Sequence, residues 1–142
     1  MKPLIVGESN PYGGGDEYAL YPSPDGCSGH RLCTLILGMG RKEYLEKFDR
    51  TNLVSGKWSI RRARARAAML YGQRYCILLG QKVCSAFDVP FIPGDKGFPS
   101  TGGGWLVLPH PSGLNRMWNE VGMIERCRRA VEDYLEEIKE NL

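Results

Sequence analysis

A repeated rhythm limits the fold more than any other feature of this sequence. Four short apolar, β-rich runs, at residues 4–6, 48–54, 75–79 and 105–108, are separated by stretches with helical spacing. Runs this short, bounded by polar segments, suit strands buried on both faces. Ser28 is placed to cap a helix carrying Leu32, Leu35 and Ile36 on one face, with Gly38 near its stop. A second helix starts near Ser59, with Ile60, Ala63, Ala67 and Leu70 on one face and Arg61, Arg62 and Arg66 on the other. Residues 81–87 read as a short helix, and a last one covers 118–140 with Val121, Ile124, Val131, Leu135 and Ile138 inward. This alternation predicts an α/β fold, a three-layer α/β/α sandwich around a four-stranded parallel sheet. Short right-handed crossovers put the carboxyl ends of the strands on one edge, where ligand sites of such sheets gather.

A length of 142 residues suits a single domain spanning residues 1–142. With 42% hydrophobic and 25% charged residues the chain reads as globular rather than disordered. Its apolar runs are too short to cross a bilayer. Met1-Lys2-Pro3 leads directly into strand-like Leu4-Ile5-Val6 without a signal-peptide pattern, so a cytoplasmic, intracellular protein is expected. The five cysteines are odd in number and include no C-x-x-C pair, against both a disulfide framework and a structural zinc site; reduced, mostly buried thiols are expected. A net charge of +3 is too mild to identify a nucleic-acid binder by itself.

The residues that follow the strands carry the chemistry. After the first strand comes Gly7-Glu8-Ser9-Asn10-Pro11-Tyr12-Gly13-Gly14-Gly15, and after the fourth Pro109-His110-Pro111-Ser112-Gly113-Leu114-Asn115-Arg116. The first lacks both the G-x-G-x-x-G order and a following Gly-Lys-Ser/Thr, so it is not a phosphate loop. The glycine-rich stretch 94–104 reads as a turn before the fourth strand. A lone histidine is usually structural, but His110 sits at a strand end beside rigid prolines. From there it can donate a hydrogen bond to charge developing on a leaving group. Glu8 and Asn10 on the opposite loop can each hold a water. Glycosidic cleavage needs such a pair of groups facing one crevice.

Gly7-Glu8-Ser9-Asn10-Pro11-Tyr12 and His110-Pro111-Ser112-Gly113-Leu114-Asn115-Arg116 resemble the two signature motifs of the uracil-DNA glycosylase superfamily. Ser28-Gly29-His30-Arg31-Leu32, Thr51-Asn52-Leu53-Val54 and Leu78-Leu79-Gly80 resemble a helix start and two strands of its thermostable branch, in the same order. The likeness covers residues 4–120. It implies strand order 2-1-3-4 and a DNA partner bearing a flipped uracil-like base, since the target bond is unreachable in the duplex. His110 then matches the histidine that stabilises the departing uracil anion, and Asn52 the asparagine that reads the base edge. Leu114 falls at the wedge position, and Ser112, Gly113, Asn115 and Arg116 where the family grips DNA. Tyr12 resembles the tyrosine that blocks the thymine methyl. Tyr21, or else Tyr18, takes the base-stacking place, and Ser9 lies beside the base.

Departures from the pattern leave two alignments open. Glu8 and Ser9 both stand between Gly7 and Asn10, so the water-holding residue is Asn10 if Asn-Pro-Tyr sets the register, or Glu8 if Gly-Glu does. The thermostable branch carries an iron–sulfur cluster, but Ser55 stands where a cluster cysteine belongs and no paired cysteines precede Gly7. No metal and no cofactor are expected, and the enzyme is expected to be a monomer. Two other classes stay open: a superfamily fold specialised for another modified base or nucleotide in a viral or defence role, and a non-catalytic DNA- or partner-binding relative. The basic face Arg61, Arg62, Arg64 and Arg66 is either a DNA-backbone contact or a solvated helix surface.

Overall fold

The computed structural model describes residues 2–10 and 15–141. Its sheet is mixed but mostly parallel, with five strands: β1 (Leu4–Asn10), β2 (Asp49–Ser55), β3 (Tyr75–Leu79), β4 (Lys96–Gly97) and β5 (Gly104–Leu108), in the order β2-β1-β3-β5-β4. All pairings are parallel except that of β4 with β5. The expected four-stranded sheet is thus corrected to five. The stretch 94–104 is more than a turn, because Lys96 and Gly97 pair antiparallel with Leu106 and Trp105 along the open edge.

Strand alternation sends successive side chains to opposite faces, and each face has its own core. Ile5, Ile77, Leu79, Leu106 and Leu108 pack under α1 (Ser28–His30), its π-helical continuation Arg31–Ile36, α2 (Arg41–Lys47) and α5 (Met123–Asn141). Leu4, Val6, Cys76, Leu78 and Val107 pack under α3 (Ile60–Leu70) and α4 (Gln81–Ala86). Helices therefore cover both faces. Among the described residues, no helix is long and apolar enough to cross a membrane. Four of the five cysteines are buried, and burial pushes Cys76 and Cys84 up to about 12 and Cys127 to about 11, so these thiols stay protonated.

Several local expectations change. The cap of α1 is Cys27, whose Sγ accepts from the His30 N–H, rather than Ser28. In the wider π turn the buried set becomes Leu32, Cys33 and Ile36, leaving Leu35 exposed. Residues 118–140 are not one helix: a 3-10 turn (Arg116–Asn119) precedes α5, and Val121 is 99% exposed between them. The inward stripe of α5 is Met123, Cys127, Val131, Tyr134 and Ile138, with Ile124 and Leu135 at its margin. Ser59 does cap α3, accepting from the Arg62 N–H at 3.3 Å.

Candidate active site

The site opens where β1 and β3 part. Their pairing covers only Leu4–Val6 against Cys76–Leu78, whereas β1 keeps pairing with β2 as far as Asn10 and Ser55. Glu8, Ser9 and Asn10 are therefore strand residues, not the loop the sequence suggested, because β2 continues beside them. Beyond Val6 the other side of β1 is free of β3, which turns at Gly80 into α4. This carboxyl-edge crevice lies where the strand order reverses, the position at which open α/β sheets bind ligands. A cavity of about 330 Å³ sits there, lined by Glu8, Ser9, Asn10, Tyr18, Tyr21, Asn52 and His110, along with Leu20, Cys27 and the α1 start.

His110 follows β5, the neighbour of β3, and its ring is fixed at both ends. The Ser112 backbone N–H donates to Nδ1 at 3.1 Å, so the neutral ring carries its proton on Nε2. The His110 carbonyl accepts from Asn115 Nδ2 at 2.9 Å and from Trp118 Nε1 at 2.7 Å. Burial holds the imidazole pKa below its ordinary value; the nearby Glu8 carboxylate opposes this and Lys82 adds to it. A Cβ built on Gly80 would lie 3.1 Å from His110 Cβ and 3.7 Å from Glu8 Oε1, so the acid and the imidazole flank one point.

On the β2 side, Asn52 pairs in register with Gly7 and folds its amide over it. A Cβ at Gly7 would meet Asn52 Oδ1 at 2.4 Å, so only glycine leaves the amide in place. The wall bearing Tyr18 and Tyr21 is held from three directions. Arg50 donates to the carbonyls of Glu17 and Ala19 at 3.1 and 2.8 Å and lies 5.7 Å from the Tyr21 ring centroid. Tyr44 donates to the Leu20 carbonyl at 2.9 Å. Gly29 lets α1 abut this segment, since a Cβ there would fall 2.1 Å from the Tyr21 carbonyl oxygen. Both tyrosines keep exposed area, 63% for Tyr18 and 41% for Tyr21.

The predicted residues thus divide. Glu8, Ser9, Asn10, Asn52, Tyr21, its alternative Tyr18, and His110 share one cavity; Tyr12 lies outside the described residues. Ser112, Gly113, Leu114, Asn115 and Arg116 do not line it but form the adjoining loop. Leu114 is 93% exposed at the loop tip, where the Ser112 hydroxyl accepts from its N–H at 3.2 Å. Arg116 is exposed. The Asn115 amide is engaged internally, on His110 and as the cap of the 3-10 turn. Sequence reasoning missed the supports Arg31, whose Nε donates to the Pro111 carbonyl at 2.9 Å, Arg50 and Tyr44. Of these only Arg31 lay in a quoted motif.

Larger hollows of about 580 and 440 Å³ run along α5. Their walls carry Glu125 and Arg129, already paired with each other, and bring no imidazole or amide together. Among the described residues no three His, Cys, Asp or Glu side chains gather as a metal site. Set against known protein families, characterised proteins and solved structures, the chain matches none of them.

Proposed function

We propose that this protein is a monomeric, monofunctional DNA N-glycosylase that hydrolyses the bond between deoxyribose and uracil, or a related modified pyrimidine. One observation carries the reading. A neutral imidazole with its proton on Nε2, a side-chain amide and a carboxylate line a single cavity of about 330 Å³ at the carboxyl edge of the sheet. That volume lies in the range of small-ligand sites. The parallel strands run β2-β1-β3-β5, the order that the resemblance implies, which further supports it.

In this mechanism the base is flipped into the cavity with Leu114 filling the gap it leaves. Asn52 offers one donor and one acceptor, the complement of the O4 and N3–H edge of uracil. Tyr21 or Tyr18 stacks on the ring. As the C1′–N1 bond breaks, its electron pair goes to the base, and the Nε2–H of His110 stabilises the resulting anion. Water adds to C1′ under the direction of Glu8 or Asn10. The side chain of Glu8, beside His110, can also take the water's proton, which an amide cannot. The test is an incubation with oligonucleotides bearing uracil, hydroxymethyluracil, hypoxanthine or a glycosylated pyrimidine, followed by alkali. Strand scission at a pyrimidine analogue is expected. Release of hypoxanthine alone would move the activity to another base class, and intact strands throughout would contradict the proposal.

A further inference from the structure

From Arg50 to Phe87 the chain carries eight lysine and arginine residues and no aspartate or glutamate, within a molecule of net charge +3. This block builds β2, α3, β3 and α4. Because α3 follows the carboxyl end of β2 and α4 that of β3, both helices begin at the edge that holds the cavity. Lys57 lies in the connection to α3, Arg61 in its first turn and Arg64 one turn further on, beside a hollow shared with Gln81 and Ser85 of α4. Lys82, in the first turn of α4, acts electrostatically on His110, and its Nζ lies 5.8 Å from the Trp58 ring centroid.

A solvated helix face normally interleaves its charges. α5 does so, pairing Glu125 with Arg129 and Glu136 with Lys139. α3 instead stacks like charges, Arg61 over Arg64 and Arg62 over Arg66, and each such pair costs a few tenths of a kcal/mol in water. Two of these cations have internal work: Arg62 donates to the Ser55 carbonyl at 2.9 Å, and Arg66 lies 3.9 Å from Asp16. Lys57, Arg61 and Arg64 are exposed and, among the described residues, have no hydrogen-bond or ion-pair partner.

We propose that Lys57, Arg61, Arg64 and Lys82 form a phosphate-binding strip that carries the DNA strand away from the cavity. It lies on the α3–α4 face of the sheet, across the edge from the Ser112–Arg116 loop, which packs with Arg31 and Trp118 on the α1–α5 face. DNA would then be gripped on both sides of the flipped nucleotide. The strip rests on the glycosylase reading for the identity of its polyanion.

The test is fluorescence anisotropy with a labelled single-stranded oligonucleotide free of uracil, titrated at several salt concentrations. Single-strand binding loses about 0.7 of log–log salt slope per phosphate contact removed. Lys57→Ser/Arg61→Ser/Arg64→Ser should therefore flatten the slope by about 2. The control Arg126→Ser/Arg129→Ser/Lys139→Ser removes the same three charges from α5 and should leave the slope near that of wild type. An unchanged slope in the α3 variant, an equal loss in the control, or no salt-dependent binding by wild type would each overturn the strip. The probe holds no target base and needs no turnover. Salt-dependent binding through the strip without base release from any of the modified oligonucleotides would therefore reject the glycosylase reading and keep this one.

Discussion

Gly7→Ala is the sharpest single perturbation of the base-reading wall. The new Cβ would stand 2.4 Å from Asn52 Oδ1 and 3.2 Å from Leu20 Cδ1. The first contact is impossible, and the amide, as the free end of a side chain, must swing away; Leu20 needs to yield only a few tenths of an ångström. Overpacking of this kind costs about 1–3 kcal/mol. Gly7 is extended, not left-handed, so alanine also recovers about 0.4–1 kcal/mol from the unfolded chain. The net loss, about 1–2 kcal/mol, lowers the melting temperature by roughly 3–7 °C. Activity should suffer more than stability. Displacing two hydrogen bonds of about 0.5–1.5 kcal/mol each lowers kcat/KM on uracil by roughly 10- to 100-fold. The assay is thermal melting beside alkali-revealed cleavage, with Asn52→Ala and the double variant completing a cycle. If the glycine acts through Asn52, the double variant is no slower than Asn52→Ala. Fully additive losses, or a Gly7→Ala enzyme as active as wild type, would refute this reasoning.

Asn52→Asp replaces the amide donor with a second acceptor, so uracil excision should fall at least tenfold while DNA binding persists; unchanged excision removes Asn52 from base reading. Glu8→Ala and Asn10→Ala should both slow cleavage, and the larger loss in single-turnover rate identifies the residue that directs water; no loss from either would leave the water side without a residue. The pH profile follows from the lowered His110 pKa. A neutral donor keeps the cleavage rate level above about pH 6.5, whereas a required imidazolium would lose about tenfold per pH unit there. Because the folded pKa is below the unfolded one, His110 contributes stability fully above about pH 6.5, and that contribution is lost as pH falls below this value and through the lowered folded pKa. Wild type should therefore lose more melting temperature than His110→Asn between neutral and acid pH; equal losses would contradict it.

The sequence carried the parallel strands clearly, because short apolar runs buried on both faces have few other homes. It carried β4 poorly: Lys96 and Gly97 have no alternation, and only their pairing with Leu106 and Trp105 makes them a strand. The extension of β1 through Glu8 and Asn10 was hidden because three polar residues look like a loop until β2 is seen beside them. Helix α2 carries no signal that stands out in the sequence. In α5 the expected inward residues Val131 and Ile138 are buried, Ile124 and Leu135 lie at the margin, and only Val121 falls outside the helix, where solvent surrounds it. Within the site, the motif residues were legible by type and order. What holds them was not, since the contacts of Arg50 with Ala19, Tyr44 with Leu20 and Arg31 with Pro111 join positions far apart in the chain.

The central claim is that His110 stabilises a departing base, and single-turnover release of uracil from an oligonucleotide by wild type and His110→Ala tests it most directly. A preset donor to developing negative charge is worth about 3–4 kcal/mol. Wild type should leave an alkali-labile abasic site, and His110→Ala should do so roughly 100-fold more slowly or worse. Its melting temperature should stay close to that of wild type, since His110 lies at the sheet edge, outside both cores. A wild-type enzyme that releases no base, or a His110→Ala enzyme that releases uracil as fast as wild type, would contradict the account.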